Sequence, residues 1–237
     1  LGGTSRDINT EAVKYTMPKM VLRRSGTNLQ STFATVMDPY RAADGRKITA
    51  IERLDLDGAP TGSVALKVAY GEYVDYILSL PDPGQAVHVE GITLQGRGGF
   101  VRTRNGEVVE MVLTGGTLLQ KGDHAVTGAG AETGRVLDVM RLADGDPFDA
   151  LVTDAALTGE YAGKYVIVTH PDGSTHGYLI KEVRPERDRT MIILDGVEAG
   201  WDFLPDGTAR MVFYPFKEWA GEHSFRIDNI EVFRPAP

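Results

Sequence analysis

The chain has 237 residues, no cysteine and a formal charge of −8 at pH 7. That length suits one large all-β domain or two small ones and buries a core without a metal or a disulfide, and the missing cysteines exclude a disulfide scaffold and a Cys-rich zinc site. The acidic balance disfavours nucleic acid as a partner, and no apolar run reaches the roughly 18 residues a membrane-spanning helix needs.

Leu1 is not followed by the charged and apolar regions of a signal peptide, which reads as a mature or excised chain. Asp7 to Lys14 is predicted to form two helical turns from an Asp or Asn cap. The stretch Ser31-Thr-Phe-Ala-Thr-Val-Met-Asp-Pro-Tyr40 reads as a sheet wall. Phe33 and Met37 would face one side, with Thr32, Ala34 and Val36 on the other, and Tyr40 would turn a corner. Pro39 ends the strand because it cannot donate a ladder hydrogen bond. Val64, Leu66 and Val68 alternate with Ala65, Lys67 and Ala69, the period of a half-buried strand.

Turns recur throughout. Six Asp-Gly pairs, at 44, 57, 144, 172, 195 and 206, and Asn105-Gly106 supply residues that tolerate positive φ. Val101–Arg104 and Glu107–Leu113 flank Asn105-Gly106 as a hairpin. Lys164–His170 and His176–Lys181 flank a second turn over Pro171–Thr175. Phe216–Ala220 reads as one helical turn, and Ser224–Asp228 alternates as a strand. The expected fold is an all-β antiparallel sandwich, or stacked sheets with many hairpins and very little helix. It forms a single unit over residues 1–237, with a possible sub-boundary in the small-residue stretch 128–134.

Candidate chemistry is sparse. His170 and His176 flank a turn and could face each other; two ligands are too few for zinc, and a solvated turn is the plainer reading. Asp144, Asp146 and Asp149 depart from the EF-hand spacing. They read as turn residues, with an irregular structural calcium loop as the other option and no other cofactor expected. Arg102 and Arg104 share a strand face with Phe100 and would bind carboxylate or sulfate; they would otherwise keep an exposed strand soluble. Arg184, Arg187 and Arg189 form a second basic group in a loop. Trp201 and Trp219, with Tyr214, offer flat amphipathic faces suited to sugar rings, or else close the end of the core, the role expected of Phe213 and Phe216.

A family resemblance then appears in Val21–Gly26, Ser31–Tyr40 and Lys47-Ile-Thr-Ala-Ile-Glu-Arg-Leu54. It continues in Tyr73–Leu78, in Asp172-Gly-Ser-Thr-His-Gly-Tyr-Leu-Ile180 and in Phe225–Ile230. Together these resemble the C-terminal β-region of heparinase II/III-like polysaccharide lyases, over most of the chain. The resemblance implies a bacterial, secreted location, extracellular or periplasmic, and glycans such as glycosaminoglycan or alginate. It also implies a helical catalytic toroid as partner. That family uses Tyr and His as base and acid, mostly on the toroid, with a His-x-His-x-Asp segment opening the β-region. Neither toroid-like helices nor that segment occurs here, so no catalytic residue carries over. The expectation is a non-catalytic carbohydrate-binding module for acidic polysaccharide, using Trp201, Trp219, Tyr214, Arg102, Arg104 and His176. The alternatives are a lyase β-domain that lines the active cleft once its toroid is present, and a purely structural docking domain.

Overall fold

The computed structural model describes residues 20–214 and 216–235. The chain divides into two compact units, residues 1–33 and 34–237. The described part of the first unit contains no strand or helix. The helix expected over Asp7–Lys14 lies outside the described residues. Among those described, no helix is long and apolar enough to cross a membrane.

The second unit runs β1 (Ala50–Leu54), β2 (Val64–Tyr70), β3 (Tyr73–Ser79), β4 (Val87–Val89), β5 (Ile92–Arg104) and β6 (Glu107–Lys121). It continues with β7 (His124–Thr127), β8 (Glu132–Val136), β9 (Asp138–Met140), β10 (Ala150–Thr153), β11 (Tyr165–Thr169) and β12 (Thr175–Glu186). It ends with β13 (Arg189–Leu194), β14 (Trp201–Phe203), β15 (Ala209–Met211), β16 (Glu218–Trp219), β17 (His223–Ile227) and β18 (Ile230–Phe233). One sheet has the order β1-β2-β3-β5-β6-β18, with β4 and β7 at its side; a second has β8-β17-β11-β12-β13-β10-β9; the third is β14-β15-β16. The ladders are antiparallel, and the sheets pack together as a β-sandwich does, as the turn spacing predicts. Strand β8 emerges from the small-residue stretch 128–134 and pairs with β17, so that stretch lies within the second unit.

The period-two pattern explains the burial. On β6, Val108, Met111 and Leu113 point inward, and bulges between Gln95 and Gly96 and between Arg102 and Thr103 keep the β5–β6 ladder in phase with the core. One core cluster sits under the first sheet and includes Leu94, Val101, Met111 and Leu119. Another joins the second sheet to the third and includes Val166, Ile180, Trp201, Trp219 and Phe225. Asn105 and Gly106 have φ of 52° and 92°, the two positive values a tight primed hairpin turn requires.

Two sequence expectations give way. Residues 31–40 form no strand, and Met37 is 85% exposed; an apolar-hydroxyl run has no ladder unless a partner strand is registered beside it. The segment read as a helical turn, Phe216–Ala220, contains β16, because Ala209 and Arg210 supply its ladder partners.

Gly96 and Gly116 face each other at the bulge. A Cβ on Gly116 would stand 2.5 Å from the Gln95 carbonyl oxygen and 2.6 Å from the Gly96 Cα. Backbone cannot yield as a side-chain tip can. Gly116→Ala is therefore expected to cost about 1–3 kcal/mol by overpacking, read as a lower denaturation midpoint.

Candidate functional site

The second and third sheets meet around three histidines. His170 closes β11 as the chain turns, His176 stands on β12 opposite Val168, and His223 opens β17. His170 Nδ1 lies 2.8 Å from His223 Nδ1, and its Nε2 lies 2.7 Å from His176 Nδ1. The imidazoles therefore form a linear hydrogen-bonded chain. His170 and His223 are buried and His176 is half-buried, which corrects the solvated-turn reading of the His170–His176 pair.

The tryptophans are the walls of this chain. His170 stacks on Trp219 at 4.1 Å and 9°, and His223 stacks on Trp201 at 4.6 Å and 16°. The Trp201 indole N–H donates to the Tyr178 hydroxyl at 3.2 Å, which donates to the Ala199 carbonyl at 2.6 Å. Burial pushes the Tyr178 phenol up to about 12. At the solvent side Asp172 accepts from the Ser174 hydroxyl at 2.6 Å and from the Trp219 indole at 3.0 Å, and it pairs with Lys217. Lys217, then Ser174, hold the Asp172 carboxyl well below the usual carboxylate range.

Proton counting defines what the chain can do. Each N–H···N bridge holds one proton, so three neutral imidazoles place two protons in the bridges and one at an end. The half-exposed end at His176 can donate to water. At the other end His223 Nε2 is buried with no hydrogen-bond partner. A fourth proton leaves both bridges intact but puts a cation in the core, and a fifth breaks a bridge. Burial, reinforced by His176 and His223, pushes His170 down to about 4; burial also lowers His176 and His223. The chain does not chelate, because His170 offers a different nitrogen to each neighbour. Among the described residues no three His, Asp or Glu side chains are arranged to hold a metal ion.

The remaining sequence candidates fall in different places. Trp201 is 0% exposed and Trp219 3%, so neither ring offers a face to a ligand and the core-closing option describes them. Phe213, Tyr214 and Phe216, at 51%, 88% and 71%, are exposed instead, which corrects the core role expected of the two phenylalanines. Hydrophobicity alone does not separate them: each indole N–H has a side-chain partner, buried Tyr178 for Trp201 and solvent-side Asp172 for Trp219, whereas the loop aromatics leave the ladder between β15 and β16. Arg102 and Arg104 lie on the first sheet, apart from the histidine chain. Arg102 grips both Asp75 oxygens at 2.8 and 2.9 Å and covers Phe100, and Arg104 donates to Glu72 at 2.8 Å. The Arg102 fork is thus occupied by an internal carboxylate, whereas Arg104 gives one nitrogen to Glu72. Asp144 and Asp146 bind the Arg141 side chain and backbone, and Asp149 accepts from Leu142 N–H, so these carboxylates organise a turn. His223 carries no local signal in the sequence, lying 53 residues from His170.

Compared with known protein families, curated proteins and solved structures, the chain matches none of them.

Proposed function

We propose that the chain is a non-catalytic carbohydrate-binding β-sandwich module, associated with a polysaccharide lyase outside the cell or in the periplasm, that holds an acidic glycan. The observation that carries this reading is the loop between β15 and β16, which presents Phe213, Tyr214 and Phe216 to solvent beside Lys217. Exposed rings of this size call for a partner, and a phenol face with a nearby cation suits a sugar ring bearing a carboxylate or sulfate. Tyr214 meets Phe216 edge-on at 6.5 Å, so the rings support one another without a bound ligand. Compared with the sequence expectation, stacking moves from the indoles to this loop; Lys217, next to Phe216 in the chain, pairs with Asp172, and half-buried His176 is kept as a candidate contact.

Tyr214→Ala is expected to weaken retention in polysaccharide-containing gels at least tenfold. Its folding stability should stay within about 0.5 kcal/mol of wild type, as for other surface changes. Unchanged retention of the variant would remove the loop from the reading.

A second reading, a lyase β-domain that lines its cleft with a toroid, is favoured by the imidazole chain. Elimination from a uronate needs a base and an acid, and the chain links half-exposed His176 to buried His223. Ultraviolet absorbance of an unsaturated uronate product, absent with this chain alone and appearing when a helical toroid domain is added, would favour it over the binding module.

A further inference from the structure

The sequence places oxyanion recognition at Arg102 and Arg104, and the structure leaves those side chains paired with Asp75 and Glu72. A guanidinium with both Nη groups unspent among the described residues, Arg226, lies elsewhere, where the second sheet meets the first, with Arg97 and Arg135 beside it. There an open cleft of about 360 Å³ is lined by Arg97 of β5, Arg135 of β8 and Arg226 of β17.

Register explains the gathering. In the ribbon β8-β17-β11, Arg135 pairs with Ser224, which pairs with Thr169; one row on, Thr133 pairs with Arg226. Residues two apart on a strand share a face, so Arg135, Thr133, Arg226, Ser224 and Thr169 all project from one side. The opposite side carries buried Phe225, Val168 and Ile227. The result is a flat polar platform of two guanidiniums and three hydroxyls on a rigid, core-backed sheet. Arg97 closes one edge, tied to the Pro81 carbonyl.

Three guanidiniums face three carboxylates, so charge is balanced from within and what stays open is hydrogen-bonding capacity. Among the described residues Glu222 is the one carboxylate lining the cleft, 3.6 Å from Arg135, and Arg135 also binds Asp154 at 2.7 Å. Asp228 serves two arginines at once: Arg226 Nε at 3.3 Å and Arg97 Nε at 3.8 Å. The longer contact leaves Arg97 Nε and Asp228 Oδ1 buried without a hydrogen bond. Both Nη groups of Arg226 lack a hydrogen-bond partner among the described residues. They form a free fork at the cleft, with hydroxyls on both neighbouring strands.

We propose that this cleft is the oxyanion subsite of the module, in which the Arg226 fork and Arg135 bind a carboxylate or sulfate group of an acidic polysaccharide while Thr133, Ser224 and Thr169 bind adjoining sugar hydroxyls. The inference rests on the glycan-binding reading and adds the substrate class and the residues that select it. A guanidinium binds either oxyanion through two parallel N–H donors, which a lysine cannot reproduce.

The test titrates the full chain with heparin, polygalacturonate and a neutral β-glucan, at low and moderate salt. Arg135→Gln combined with Arg226→Gln is expected to weaken binding of the acidic polymers at least tenfold and flatten its salt dependence, leaving neutral-glucan binding unchanged. Polygalacturonate carries carboxylates alone and heparin carries both groups, so binding of heparin but not polygalacturonate assigns sulfate, and binding of polygalacturonate assigns carboxylate as sufficient. Arg135→Gln alone, at a half-exposed position, keeps the test open if loss of Arg226 perturbs the Asp228 junction. Arg226→Lys, keeping charge without the fork, should fall in between. Arg189→Gln, at the β12–β13 hairpin, should change nothing. Acidic-polymer binding that persists in the double variant overturns the subsite and leaves the glycan reading standing. Binding of neutral glucan alone does the same, and a wild-type chain that binds no glycan overturns both.

Discussion

Trp201→Ala is expected to destabilise the fold by about 3–5 kcal/mol, the range for deleting a large buried aromatic side chain. The ring is fully buried, stacks on His223, meets His170 and Phe203 edge-on, and donates to Tyr178. Its loss opens a void between the second and third sheets and removes one of the two walls of the histidine chain. For a domain held by roughly 5–15 kcal/mol, such a loss is a large share of the total. The expected signature is a lower denaturation midpoint at unchanged m-value. Trp201→Phe, which keeps a stacked ring but drops the N–H donor, should cost about 1–2 kcal/mol. A sugar-stacking tryptophan would behave the other way round: truncation would spare stability and abolish binding. That outcome would return the indole to the surface.

Mild acid is expected to have the second large effect. His170 titrates at about 4 in the folded chain, below its ordinary value of 6.5, and His176 and His223 are shifted the same way. An unfolded chain therefore binds protons at a higher pH than the folded one does. The stability lost is fully present above the unfolded pKa, near 6.5, and disappears as pH falls toward the folded value near 4. At about 1.4 kcal/mol per pKa step, His170 alone accounts for about 3 kcal/mol over that window. The groups facing the chain act elsewhere: Asp172 is held below the usual carboxylate range by Lys217 and Ser174, so its contribution goes only in stronger acid. Denaturation midpoints between neutral pH and about pH 4 should fall steadily, and His170→Gln should flatten that fall although it starts from a lower value. A wild-type midpoint independent of pH in this interval would mean that the buried imidazoles do not resist protonation.

The strands were largely legible because alternation and turn chemistry are local. Asn105-Gly106 predicts its hairpin, and Val64–Ala69 predicts a half-buried strand that forms β2. The residues 31–40 show the limit of that logic: a strand needs a registered neighbour, and nothing in Ser31–Tyr40 encodes one. The site was less legible for the same reason. His170 and His176 could be paired by eye across their turn, but His223 joins them only because β17 lies beside β11. Arg102 and Arg104 had the right chemistry for an oxyanion, yet their cross-strand partners Asp75 and Glu110 and the hairpin residue Glu72 are set by register and turn. The aromatic residues invert for a related cause. Trp219 belongs to a ladder and finds Asp172 for its indole, whereas Tyr214 and Phe216 fall in the loop just before it.

Calorimetric titration of the intact chain with polygalacturonate and heparin addresses the central proposal most directly. Saturable binding of at least one of these polymers, with no unsaturated uronate appearing in the cell, is the expected result. Absence of binding heat with both, or accumulation of the elimination product, would contradict it.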